Sequence, residues 1–175
     1  MSEKHDHDSH YKELSGHEGI AKIAELVKDI RIAMMTTVAK DGTMSSRPMA
    51  VQDEPFNGTL WFLTRQGSEK VGELAGDHHV TLTFAEPKDS KYITLKGIAT
   101  FSQDQGKIEE LWSPMYKAWF PRGKDDPEIA VLRVEVNEAD YWEASSGRLV
   151  MLAKYVAASV TGGKVAIGEA GHVSV

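Results

Sequence analysis

From Arg31 to Phe101 the chain is a succession of short strand-like runs joined by tight turns, and this succession limits the fold more than any other feature. Residues 31–39 are apolar and β-branched. Lys40-Asp41-Gly42 follows, and Asp-Gly readily supplies the positive φ of a hairpin turn. Residues 43–51 read as the returning strand. Pro48 within it has no amide to donate, which places it at an edge or a bulge. Further strands are expected at 59–64, 79–85 and 92–101, with the polar turn 86–90 joining the last two. Two more are expected at 129–136 and 139–144. Parallel strands need long crossover connections, and no such βαβ unit is present. The expected fold is mainly β, an antiparallel barrel with peripheral helices. A small barrel fills its interior with side chains, so a ligand must sit outside it, in a groove or at an interface.

The helices are few. Ser15-Gly16-His17-Glu18 reads as a capping box, a Ser oxygen and a Glu carboxylate serving two free amides. Behind it Ile20, Ile23, Ala24, Val27 and Ile30 recur at helical spacing. A short helix is expected over 67–74. Asp104 is expected to cap a longer one carrying Ile108, Leu111, Trp112, Met115 and Trp119 on one side and ending at Phe120-Pro121-Arg122-Gly123. Residues 147–158 read as a helix with Leu149, Leu152, Ala153 and Val156 on one face. Residues 1–14 read as a flexible tail, 15–160 as one domain, and 161–175 as a C-terminal tail with one short strand, packed on that domain.

Composition narrows the function. With 175 residues there is material for one core. The net charge of -6 argues against a general binder of nucleic acid or of anionic membranes, which need a cationic surface. A phosphate ligand then requires a local cluster of cations. The absence of cysteine excludes disulfides, thiolate metal sites and a cysteine nucleophile. No metal site is expected: His5, His7 and His10 lie in the polar tail, and His78 and His79 are adjacent on a strand, so they point to opposite faces. There is no secretory h-region and no apolar run long enough to span a bilayer, so a cytoplasmic protein is expected.

The stretch from Ser45 to Lys70 carries the chemistry. Thr64 and Ser68 place hydroxyls around a turn, and Gly67 lets backbone approach a ligand. The following helix start offers free amides, and Arg47 and Lys70 add two cations. A phosphate monoester is bound by such a combination.

Arg47 on a strand, followed by an aromatic-x-Thr-x-x-x-Ser-x-Lys segment, resembles the FMN-binding split barrel of the pyridoxamine 5'-phosphate oxidases. Within that superfamily Ser46-Arg47-Pro48-Met49, Trp61-Phe62-Leu63-Thr64, Trp119-Phe120-Pro121 and Asp140-Tyr141-Trp142-Glu143 resemble the general-stress-protein branch. The resemblance implies a six-stranded antiparallel split barrel and a homodimer with FMN at the subunit interface. It implies that Arg47, Thr64, Ser68 and Lys70 hold the flavin phosphate. Ser46, Pro48 and Met49 would lie along the ring and ribityl chain, and Trp61 and Phe62 would lead into the phosphate turn. Tyr92 would face the flavin edge, and Trp119, Phe120 and Trp142 would reach it from the other subunit.

The departures bear on the substrate. Where the oxidases have a lysine five residues after the arginine, this chain has Gln52. Their Ser-Arg-Lys is Ser68-Glu69-Lys70 here, and their arginine-rich end has no counterpart in Gly171-His172-Val173-Ser174-Val175. Pyridoxamine phosphate is therefore not the expected substrate. The expected function is an FMN-dependent oxidoreductase acting with a small-molecule substrate or electron donor. The alternatives are a non-catalytic flavin-buffering stress protein, the same fold binding haem or a deazaflavin, and an interaction module without a ligand.

Overall fold

The structure is a computed structural model that describes residues 11–144 and 168–175. The helix expected at 147–158 and the first ten residues lie outside the described part. The elements are β1 (Tyr11–Ser15), α1 (Gly16–Val27), β2 (Ile32–Val38), β3 (Met44–Ala50), β4 (Thr59–Arg65), α2 (Glu69–Gly76), β5 (His79–Glu86), β6 (Lys91–Ser102), α3 (Gln105–Leu111), a 3-10 helix (Pro114–Ala118), β7 (Ile129–Glu143) and β8 (Glu169–Ser174).

The fold is mainly β with few helices, as the sequence pattern implies. Eight described strands form one sheet, however, rather than six. Six of them follow the antiparallel path β3-β2-β5-β6-β7-β4. At the two ends of that path β3 and β4 touch without pairing, which is consistent with a split barrel. Strand β7 serves two neighbours along one edge. Its first half pairs with β4, and its second half pairs with β8, which in turn pairs in parallel with β1.

Four local expectations are corrected. Tyr11 to Leu14 are not tail but part of β1, because β8 offers that segment an unpaired edge. The capping box does not form: Ser15 makes no side-chain cap bond, and Gly16 departs at φ +56°. The two strands expected at 129–136 and 139–144 are one strand. Gly97 pairs with Val136 and Lys96 with Glu138, so Asn137 is the extra residue of a bulge that bends β7 without ending it. The helix expected to run through Trp119 stops at Leu111, and the chain resumes as a 3-10 helix at Pro114, whose ring has no amide for a continuing helix. Asp104 does cap α3, its Oδ1 accepting from the Lys107 amide at 3.0 Å.

Alternation along the strands separates two apolar clusters. Met35, Phe62, Leu82, Phe84, Ile93 and Leu132 point inward, and α1 closes that core with Ile23, Leu26 and Val27. On the opposite face of β4 and β7, Trp61, Leu63, Ile129 and Val131 pack against Ile108 and Leu111 of α3 and against Tyr116 and Phe120. The remaining outer face of the sheet is unusually apolar. Ile32, Met34, Tyr92 and Trp142 are 52%, 42%, 46% and 52% exposed.

Candidate anion-binding site

The site forms where β4 ends. Leu60, Phe62 and Thr64 alternate inward, so Thr64 puts a hydroxyl at the last inward position of an otherwise apolar row, and it is buried. The chain then turns: the Gln66 amide donates to the Glu128 carbonyl at 2.8 Å and the Ser68 amide to the Arg65 carbonyl at 3.0 Å. Ser68 starts α2 in an extended conformation and makes no side-chain cap bond. Its Oγ lies 3.4 Å from Thr64 Oγ1. Two residues on, Lys70 Nζ donates to Thr64 Oγ1 at 3.0 Å.

Arg47 enters from β3. Its neighbour in register on β2 is Met35, and its guanidinium reaches along that strand to Thr37 Oγ1 and across to α2, donating to Glu73 Oε2 at 2.6 Å. Thr37 Oγ1 donates to the same carboxylate oxygen at 2.5 Å. The Arg47 and Glu73 side chains are only 20% and 11% exposed. Arg47, Lys70, Thr37, Thr64, Ser68 and Glu73 thus form one cluster between β2, β3, β4 and α2.

Its electrostatics follow from burial. Desolvation pushes the Lys70 ammonium below the ordinary lysine range, the nearby Arg47 charge pushes it further, and Glu73 offsets part of this. Glu73 is held below the usual carboxylate range, first by the Thr37 hydrogen bond against the opposing effect of burial, then by Arg47, with Ser45 adding a further bond. Among the described residues Lys70 is bonded only to a neutral hydroxyl and has no ion pair. A half-buried ammonium in that state is a place for an anion.

The structure therefore brings together Arg47, Thr64, Ser68 and Lys70. The other residues expected at the site lie elsewhere within the chain. Ser46 and Pro48 are on the outer face of β3, where Ser46 Oγ meets Thr36 Oγ1 at 2.7 Å. Met49 and Phe62 are buried in the main core and do not join the cluster. Trp61 faces the second cluster beneath Lys107, whose Nζ is 4.4 Å from the ring centroid. Tyr92 and Trp142 are cross-strand partners on the outer face. Trp119 is exposed, and its carbonyl accepts from Arg65, while Phe120 is buried. Gln52, in place of a lysine, is buried and bonded to the Tyr116 hydroxyl at 2.8 Å. A cavity of about 480 Å³ between the end of α1 and residues 51–56 is separate; its walls include Val27, Ile30, Phe56 and Leu60 but none of the cluster.

Two members of the cluster, Thr37 and Glu73, were not anticipated. Thr37 is a polar residue at an inward position of an apolar strand, a signal that the sequence does carry. Glu73 looks like an ordinary surface acid on a short helix.

The family model for proteins like pyridoxamine 5'-phosphate oxidase matches residues 18–166. The chain belongs to this pyridoxamine 5'-phosphate oxidase-like family. Among solved structures it is similar to a Jannaschia sp. CCS1 protein named for general stress protein 26, with a TM-score of 0.74 and 22% identity, covering 89% of this chain and 97% of that one. It is also similar to the general stress FMN/FAD binding protein of Xanthomonas citri, with a TM-score of 0.64 and 25% identity, covering 75% of this chain and 93% of that one. Protein bli-3 of Neurospora crassa is 25% identical over 165 residues, 89% of this chain and 79% of that protein. The Jannaschia likeness speaks for the fold alone. The matched span contains Arg47, Thr64, Ser68 and Lys70, the residues that the structure gathers at the end of β4.

Proposed function

We propose that the chain is an FMN-binding protein whose phosphate site is the Arg47–Thr64–Ser68–Lys70 cluster. The observation that carries this is Lys70, a half-buried ammonium bonded to one neutral hydroxyl at 3.0 Å and lacking an ion pair among the described residues. The cluster fits the 5'-phosphate by its donor set: two cations and two hydroxyls, with the free amides of the α2 start beside them. When bound, the flavin supplies hydride and electron chemistry, and the protein binds, orients and shields it. Arg47 and Lys70 meet the phosphate charge, Thr64 and Ser68 donate to its oxygens, and Ser46 and Pro48 lie along the ligand on β3.

The six-strand path closes as a split barrel in this reading, and the chain works as a homodimer. The apolar outer face supports the dimer: Ile32, Met34, Tyr92 and Trp142 would be withdrawn from water by a second copy. Met49, Trp61 and Phe62 then act by holding β3 and β4 in place from behind. Tyr92 and Trp142 shape the substrate face, with Trp119 contributing from the partner, while Phe120 supports Trp119 from the second cluster. The reaction class is FMN-dependent oxidoreduction of a small molecule other than pyridoxamine phosphate.

A second reading, a flavin carrier without turnover, is favoured by one feature: Glu73 already neutralises part of the cationic cluster. Equilibrium titration with FMN and with riboflavin tests the binding claim. Saturable FMN binding that exceeds riboflavin binding and weakens in Arg47→Ala supports it, and equal affinity for the two ligands removes the phosphate site. Turnover of bound FMN by a nicotinamide donor then separates enzyme from carrier.

A further inference from the structure

The charges of the cluster do not simply add. Arg47 is turned toward Glu73, whose Oε2 accepts from its guanidinium at 2.6 Å and from Thr37 at 2.5 Å. With two donors on one oxygen and a side chain only 11% exposed, this carboxylate is a fixed part of the site. Glu73 lies one helical turn after Lys70 on α2, so the helix holds the acid and the second cation at a set spacing.

We infer that Glu73 is a built-in counter-anion that leaves the site one net positive charge and makes it exchange a phosphate-bearing ligand rather than retain it. The inference rests on the phosphate assignment above. A phosphate monoester carries about -1.5 to -2 charges at neutral pH. Two cations without Glu73 would match it; with Glu73 the ligand meets a fixed carboxylate in a half-buried place where salt screens weakly. Positioning alone does not require the charge. A glutamine at 73 would still offer an amide oxygen to Arg47 and Thr37. The carboxylate therefore weakens the hold on phosphate while keeping Arg47 in place. A site of this kind loads and releases its ligand as the concentration changes.

The test measures equilibrium affinity and release rate by flavin fluorescence, for FMN and for riboflavin, in the wild-type chain and in Glu73→Gln. Glu73→Met, of similar length, repeats the charge removal if the glutamine variant does not fold. Tighter FMN binding by on the order of ten-fold is expected, from one charge removed at a few ångströms in a medium of intermediate dielectric, with slower release and unchanged riboflavin binding. A folded variant that binds FMN no more tightly, or that gains equally for riboflavin, overturns the inference. If neither protein binds FMN, the flavin reading fails by itself, and inorganic phosphate is titrated against the amide resonances of Ser68 and Lys70. Tighter phosphate binding by the variant sustains the counter-anion role, and equal or absent binding ends it.

Discussion

Lys70 Nζ and Thr64 Oγ1 lie 3.0 Å apart, and this bond ties the first turn of α2 to the last inward residue of β4. A hydroxyl is a weak partner for a desolvated ammonium. Lys70→Met should therefore leave the melting temperature equal to or above that of the wild type, since it removes a charge that burial penalises. The same variant should lose at least about ten-fold in FMN affinity and nothing in riboflavin affinity, because only the phosphate meets Lys70. Thermal melts and paired titrations check both halves.

The lowered proton affinity of Lys70 gives a pH dependence. Burial and the Arg47 charge both favour the neutral amine, so it is lost as a cation at a lower pH than an ordinary lysine. FMN affinity should fall as the solution is made alkaline, beginning below the pH of about 10.4 where free lysine titrates. Arginine stays charged throughout that range, so Lys70→Arg should flatten the alkaline limb wherever it still binds. An affinity that is constant to pH 10 in the wild type would remove Lys70 from the site.

Glu73 acts on stability in the opposite pH range. Its folded carboxyl titrates below the ordinary value, so its contribution is fully present above the unfolded value and disappears as pH falls through the folded one. Glu73→Gln should be less stable than the wild type at neutral pH, and the gap should close as pH drops below about 4. Denaturant titrations at several pH values read this directly. A gap that stays constant with pH would mean that the charge contributes nothing to folding.

Much of the fold is legible because hairpin signals are local. Lys40-Asp41-Gly42 announces the β2–β3 hairpin, and the alternation of β4 gives its inward row. The misread parts depend on distant partners. Nothing near Tyr11 indicates a strand, since β1 forms only when β8 is there to receive it. Asn137 looks like a strand break because a bulge needs its partner strand to be recognised. The apolar spacing from Ile108 to Trp119 runs straight across Pro114, which is where the chain leaves α3 and resumes as a 3-10 helix. The site divides in the same way. Thr64, Ser68 and Lys70 are gathered by one turn, whereas spacing alone does not join Arg47 to them and only the resemblance did; Glu73 owes its place to Arg47, which is 26 residues away.

The bulge makes its own prediction. A Cβ on Gly97 would sit 2.2 Å from the Glu135 carbonyl oxygen, a backbone atom that cannot move aside without disturbing β7. Gly97→Ala should cost about 2–4 kcal/mol, comparable to the about 3–5 kcal/mol expected for emptying the core at Phe62→Ala. Urea unfolding measures both. A neutral Gly97→Ala would show that β6 and β7 can separate at the bulge without loss.

The outer face yields a prediction about assembly. Ile32 and Met34 are exposed and contribute nothing to the core of one chain. Replacing both with glutamate should convert a dimer to a monomer in light scattering while leaving a cooperative melt, because like charges would oppose each other across a two-fold interface. A wild-type chain that is already monomeric at micromolar concentration would contradict the proposed homodimer.

The most direct test of the account is the FMN titration of wild type and Arg47→Ala, each compared with riboflavin under the same conditions. The expected result is saturable FMN binding by the wild type, and an Arg47→Ala variant whose FMN affinity falls toward that of riboflavin while riboflavin binding is unchanged. Indistinguishable FMN curves for the two proteins would contradict the account at its centre, because the cluster around Arg47 would then not be where the phosphate is held.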